Sequence, residues 1–526
     1  MPESEWGAPL LIPVNPRGNG NPMRILLVPL DDRPITYGFP QLLLKAAQVE
    51  AIVPPRPIMG SLNRGAQIDE LFSFCENALS KSNLDAVILC LDSLLYGGLI
   101  TSRRSSEDLK TISDRLERIK KWKTLSSKPI PFYAQSSIMR ISDNYDNTEE
   151  KDYWSTYGKE LFEWSACMHR ISRGEKLTAG VLESLERKIP GAIRQDYQST
   201  RFRNFSINML LLRSMKARGN SNFLDYLVFS QDDSGAWGLN VSEKERILKE
   251  VDELKLGGRV TAYAGADEVI MTLISRALID NIARTDGTTI KPHLQVKFSP
   301  AGAAAVASRY EGQELGVTVQ AQLEASAVKY TYGDDEQSNS EDNFTFVVHG
   351  PQERQGDHIT LPGLPDLSNC DTRAAVQNTI KILEESAADC IIADVAYANG
   401  GDPLLMEALL KNQKAMSKVK SYAGWNTSGN TIGSAIAMAT CLWYARHTVE
   451  RSDTLKHCLY TRLLDDWAYQ SKVRKTLGGE TSTQKLAESI APYVKTISAA
   501  VNMEPGIRLS FPWRRTFEIE IGFEGG

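Results

Sequence analysis

Short apolar runs recur along this chain, and most end in carboxylates or amides just before a stretch of helical periodicity. The clearest are LLVPLDDRP (Asp31, Asp32, Arg33), VILCLDSLLYGG (Asp92, Tyr96), FYAQSS (Gln135) and YLVFSQDDSGAWG (Asp232, Asp233). Further on come TAYAGADE (Asp267, Glu268), IIADVAYANGGD (Asp394, Asn399, Asp402) and YAGWNTSGN (Trp425, Asn426, Asn430). Strand-like runs alternating with helical stretches predict a mostly parallel sheet with helices packed against it. In such folds the polar groups at the carboxyl ends of the strands converge on one rim, where ligands bind. The pattern therefore predicts an α/β protein with one shared site assembled from distant parts of the chain.

Counting strand ends favours a (β/α)8-like barrel with insertions. A composite of two α/β units is the alternative: one to about Asp286, the other from near Lys291, joined through Thr-Asp-Gly-Thr-Thr at 285–289. The expected organisation is a disordered leader over 1–22 and a first α/β half over 23–286 carrying the Asp-Asp motifs. A second half over 287–453 follows, then a helical segment ending in a terminal strand, TFEIEIGF, over 454–526. A chain of 526 residues can bury a large core in either arrangement. The acidic stretch GDDEQSNSEDN reads as an exposed loop, and no internal repeat is visible.

A net charge of -5 and a pI near 5.9 argue against nucleic acid, whose phosphates need a concentrated basic surface. No window reaches the roughly 20 apolar residues that cross a bilayer, so no membrane association is expected. The longest, TIGSAIAMATCLWYA, reads as a buried helix. Seven widely spaced cysteines without a CxxC pair suit reduced, core-filling thiols, and hence a cytoplasmic protein. Neither GxGxxG after a strand nor GxxxxGK[ST] occurs, and the six histidines are scattered without HxH or HExxH spacing. No cofactor is expected, and the expected partner is a small-molecule or oligosaccharide substrate.

Gln231-Asp232-Asp233 after YLVFS is the sharpest chemical signal. Adjacent carboxylates separate each other's pKa values, so that one keeps its proton and both can do acid/base work, as glycoside hydrolysis requires. Asp-Asp-Ser-Gly is equally a turn and helix-entry sequence. Asp232 and Asp233 are the catalytic candidates. Asp31, Asp32, Arg33, Asp92, Tyr96, Gln135, Asp267, Asp394, Asn399, Trp425, Asn426 and Asn430 are the candidates for holding substrate. Trp425 would offer a stacking face, and Asn426 and Asn430 would offer neutral hydrogen-bonding groups, the pairing that sugar recognition needs. Each has a plainer use: Asn-Thr-Ser-Gly-Asn forms turns, Trp fills cores, and Asp31-Asp32-Arg33 makes an internal ion pair.

VPLDDRP, LDSLLYGGL with Ser102 and Arg103, FSQDD, ADVAYANGGD, AGWNTSGNT and FPWRRTFE together resemble the DUF4127 family over nearly the whole chain from Met23. The function of that family is not assigned, so the resemblance implies one integrated unit without a reaction. Separately, FSQDD is similar to the strand-end Asp-Asp of O-GlcNAcase and hyaluronidase-type glycosidases. There the substrate's acetamide is the nucleophile, which would make Asp232 the acetamide-orienting acid and Asp233 the general acid/base. ADVAYANGGDP is similar to a stretch of microcystinase-type metalloproteins, but Tyr397 and Ala398 depart from that pattern and its histidine set has no match. The expectation is a hydrolase acting on a glycosidic bond, with an N-acetylamino sugar as one substrate class. The alternatives are a metal-dependent hydrolase using Asp31, Asp92, Asp232 and Asp394, and a non-catalytic carbohydrate-binding protein.

Overall fold

A computed structural model describes residues 22–176, 180–216, 222–233, 235–333, 340, 342–359, 366–448 and 454–524. The leader apart from Pro22, and most of the acidic loop near residue 337, lie outside these residues. In chain order the strands are β1 Arg24–Val28, β2 Glu50–Ile52, β3 Ala86–Cys90, β4 Phe132–Ile138, β5 Tyr226–Gln231 and β6 Val260–Ala264. They continue as β7 His293–Ser299, β8 Lys329–Tyr332, β9 Asn343–His349, β10 Gly356–Asp357 and β11 Asp389–Asp394. The last four are β12 Tyr397–Ala398, β13 Val419–Ala423, β14 Ile507–Ser510 and β15 Glu520–Phe523.

Among the described residues the strands form two large open parallel sheets and a short parallel pair, β10-β12. The first has the order β2-β1-β3-β4-β5-β6 and the second β13-β11-β9-β7-β8. Read from its other edge, the second sheet repeats the first: the chain goes outward once, then crosses its own first strand and continues the other way. The same doubly wound topology is thus used twice, although the two stretches of sequence show no repeat. Mixed α/β architecture with parallel sheets is as the alternation predicts. The closed ring of eight strands is not what the described strands form. Strand ends can be counted from periodicity, but which strands pair, and whether they close, cannot.

The strand sequences explain the layering. RILLV and AVILC lack polar alternation because both faces of the first sheet are covered. Ile25, Leu27 and Ile88 face the core between the sheets, while Leu26, Val28, Val87 and Leu89 face an outer layer of helices. Two helices fill the space between the sheets. Val269–Asp286 packs on β3 and β4, Ser428–Thr448 packs on β11 and β13, and the two pack on each other. The second is TIGSAIAMATCLWYA in its setting, buried on nearly every side, which is why it has no polar stripe. No described helix is long and apolar enough to cross a membrane. The first sheet and its last helix end at Asp286, and β7 opens the second sheet at His293.

This layering aims the carboxyl ends of β1, β4, β5 and β6 at the loops that follow β12 and β13. The C-terminal hairpin β14-β15 is antiparallel, and its turn returns to the first half: Arg56 pairs with Glu520 at 2.6 Å, and Trp513 Nε1 donates to Asp32 Oδ1 at 2.6 Å. The cysteines are free thiols, and five of the seven are buried.

Candidate functional site

A cavity of about 410 Å³ opens where these ends meet. That volume lies within the range of small-molecule sites. Each wall comes from a different element. Asp31 and Arg33 follow β1, Arg140 follows β4, Asp232 and Asp233 follow β5, and Asp267 follows β6. Asn399 follows β12, Asn426 follows β13, and Asn430 lies in the first turn of helix Ser428–Thr448. Trp513, Arg515 and Phe517 close the cavity from the C-terminal hairpin turn. Groups from both halves also bond to each other around it: the Asp267 backbone N–H donates to Asn430 Oδ1 at 3.0 Å, and Trp425 Nε1 donates to Asp267 Oδ2 at 3.3 Å.

The backbone around the cavity is strained. Asp233 (φ 38°), Tyr310 (φ 65°), Asn399 (φ 60°), Asn426 (φ 56°) and Trp513 (φ 55°) all sit in the left-handed region and all line it. Asparagine and aspartate tolerate that conformation, whereas Tyr and Trp hold it at a cost of order 1–3 kcal/mol each, which persists where surrounding contacts over-determine it.

The floor is a lattice of arginines and carboxylates. Arg33 is buried and grips Asp267 with both terminal nitrogens, at 2.6 and 3.2 Å, while its Nε donates to Asp31 at 2.9 Å. Burial opposes its charge, but Asp267 and Asp31 more than compensate and hold it protonated. Arg140 is the second node. Its Nε donates to Glu150 at 2.8 Å and Nη2 lies 3.3 Å from Glu149, while the single nitrogen Nη1 reaches Asp233 Oδ2 at 3.0 Å and Asp232 Oδ2 at 3.4 Å. Arg103, fully buried, supports Asp232 from behind at 3.3 Å.

Two neighbouring buried carboxylates repel each other when both are ionised, and a nearby guanidinium offsets that repulsion in part. Burial, reinforced by the charge of Asp232, pushes Asp233 up to about 7 against the pull of Arg140 and Arg103. Its side chain nevertheless keeps 27% of its surface exposed and lines the cavity. Glu149 goes the opposite way: burial would raise it, but Arg140, Arg515, Arg103 and Arg33 outweigh burial and keep it ionised. Glu518 is pushed up to about 7 by burial, opposed by Arg33 and Arg515. The cavity thus holds one carboxyl group titrating near neutrality beside an arginine-bound partner.

Of the residues singled out in the sequence, Asp31, Arg33, Asp232, Asp233, Asp267, Asn399, Asn426 and Asn430 line this cavity. The other six do not. Asp32 lies behind it, bonded to Trp513. Gln135 sits in the middle of β4, which runs on to Ile138, and its amide donates to the Ala266 carbonyl at 2.8 Å. Asp92 accepts the Ser137 N–H at 2.9 Å, and Tyr96 is buried under Arg203. Trp425 is buried behind the wall, edge-on to Phe517. Asp394 belongs to the interior of the second half, where Oδ2 accepts from Asp402 N–H at 2.7 Å and Tyr422 Oη at 2.9 Å. Asp31, Asp92, Asp232 and Asp394 therefore serve different networks. No group of three or more His, Cys, Asp or Glu side chains among the described residues is arranged to hold a metal ion.

Sequence reasoning missed Arg140, Glu149, Arg474, Trp513, Arg515 and Phe517. Arg140 was within reach of the strand-end rule had β4 been followed past Ser137. The others come from a loop, a helix end and the PWRRTF turn, where no periodicity points at a site. A second cavity of about 470 Å³ lies on the outer surface between Ser105 and Arg203, at no strand end. Its basic residues are engaged already: Lys151 with Asp196 at 2.6 Å, and Arg203 with the carbonyls of Ser102, Ser105 and Glu107.

Residues 25–522 match the family model described as "Protein of unknown function (DUF4127)", and the chain belongs to that family. No curated protein matches it. No solved structure matches it either.

Proposed function

Within a family of unassigned function, we propose that this chain is a hydrolase that cleaves a glycosidic bond in the cavity between its two halves. Asp233 is the general acid/base and Asp232 its partner, held by Arg103 and Arg140. The observation that carries this reading is the sharing of one Arg140 nitrogen by two adjacent carboxylates, with Asp233 pushed up to about 7. At neutral pH such a group can protonate a leaving oxygen and later accept a proton from water.

The reaction follows from these positions. Asp233 donates its proton to the glycosidic oxygen as the bond to the anomeric carbon breaks. Asp232, held by Arg103 and Arg140, stabilises the positive charge that develops on the sugar, or on an acetamide that closes onto the anomeric carbon. Water then adds, and the Asp233 carboxylate recovers a proton. The remaining wall suits a polyhydroxylated ligand: the Asn426 side chain makes no hydrogen bond within the described residues, and Asn399 is fixed by Asp357 at 2.9 Å. Asn and Asp groups offer donors and acceptors to hydroxyls, while Trp513 and Phe517 offer apolar contact to a ring face.

A panel of nitrophenyl glycosides, N-acetylaminosugars included, tests the proposal with and without EDTA. The expected result is turnover that survives EDTA and falls by roughly 10²–10⁴-fold in Asp233→Asn. Turnover unchanged in that variant, or abolished by the chelator, contradicts it.

A further inference from the structure

The arginines of the cavity are not equivalent. Arg33 and Arg140 are saturated by carboxylates, and Arg515 pairs with Glu149 at 2.7 Å and Glu518 at 3.2 Å. Arg474 also lines the cavity, yet no carboxylate among the described residues lies within salt-bridge distance of it. Its one hydrogen bond within those residues runs from Nη1 to the neutral Gln470 Oε1 at 3.0 Å. Its guanidinium lies 4.9 Å from the centre of the Phe517 ring, and that of Arg515 lies 4.8 Å from the same ring. Two cations therefore lie against one aromatic side chain at the cavity wall, and Arg515 Nε, itself buried, has no hydrogen-bond partner among the described residues.

Such an arrangement is costly when empty. Burial, with the charge of Arg515 nearby, holds Arg474 below the ordinary arginine value although Tyr469, Glu518 and Asp465 act the other way, so its charged form is compensated only in part. An oxyanion seated here would supply that compensation and would take charge-assisted hydrogen bonds from a donor fork that matches carboxylate and phosphate geometry.

We propose that Arg474 and Arg515 form an anion subsite of the cavity, and that its ligand is an acidic saccharide bearing a carboxylate, phosphate or sulfate group. The anion subsite stands on the arginine geometry alone; only the saccharide part rests on the hydrolase reading above.

Calorimetric titration of the full chain compares glucuronate, glucose-6-phosphate and N-acetylglucosamine-6-sulfate with their neutral parents, glucose and N-acetylglucosamine. At least one charged sugar is expected to bind about tenfold or more tightly than its parent. That advantage should vanish in Arg474→Gln, persist in part in Arg474→Lys, and shrink in roughly 0.5 M salt. The charged sugar that wins identifies the oxyanion. Equal affinity for every charged sugar and its parent overturns the proposal, as does a preference that survives Arg474→Gln; should that variant fail to fold, the wild-type comparison still decides. Arg474-dependent binding without turnover keeps the subsite and fails the hydrolase. Turnover of neutral glycosides as fast as acidic ones, indifferent to Arg474→Gln, does the reverse.

Discussion

Asp233 shows how a single residue can be assigned two properties by its neighbours. The same burial that raises it to about 7 makes its ionised form unfavourable in the fold. Between the ordinary carboxyl value and its folded value, the native chain holds a proton that the unfolded chain has released. Its contribution to stability therefore declines as pH rises through that window. Asp233→Asn is expected to raise the melting temperature at about pH 8 and to leave it nearly unchanged at about pH 4, since only at the higher pH does the carboxylate carry this penalty. A melting temperature lowered at both values would assign the group a purely structural role. The Asp232-Asp233 motif was legible in the sequence because a strand end and a carboxylate pair are both local patterns. Arg140, the cation that couples the two, was not: it belongs to a different strand, and the shared nitrogen exists only after β4 and β5 pair.

At the level of elements, the site depends on how closely helix Ser428–Thr448 approaches the end of β6. Gly429 in its first turn has no room for a side chain, because a methyl group there would overlap the Ala264 carbonyl oxygen. Its own N–H donates to Glu311 Oε1 at 2.6 Å, tying the helix to the polar layer between the halves. Gly429→Ala is expected to destabilise the protein by about 1–3 kcal/mol in urea denaturation and to weaken ligand binding through displaced Asp267 and Asn430. Stability within experimental error of wild type would show that the close approach is not needed. Strands, helices and the buried character of this helix could be read from apolar runs. The split into two sheets could not, because five of the seven motifs sit on one sheet and two on the other, and nothing in a motif says which strand it pairs with. The C-terminal turn was legible only as part of a family pattern, and its role in closing the cavity is a long-range contact without local signal.

The whole molecule carries several buried carboxyl groups of the same kind as Asp233. Burial pushes Glu268 up to about 8, and Glu311 and Asp466 up to about 7. Each loses stabilising effect as pH rises toward its folded value. Asp402 acts in the other direction: burial would raise it, but His349 outweighs burial and lowers it, so its contribution is lost only as pH falls below the ordinary carboxyl range. The melting temperature is therefore expected to be a few degrees higher at about pH 5.5 than at about pH 8.5. A higher value on the alkaline side would contradict the burial of these groups.

One proton, on Asp233 in the cavity shared by both halves, is central to the proposed chemistry. Carboxyl-carbon NMR titration of the folded chain tests it without any substrate. Asp233 is predicted to release its proton near pH 7, and Asp232→Asn to move that midpoint down toward the ordinary carboxylate range. A wild-type Asp233 that titrates with exposed carboxylates near about pH 4 would contradict the central claim.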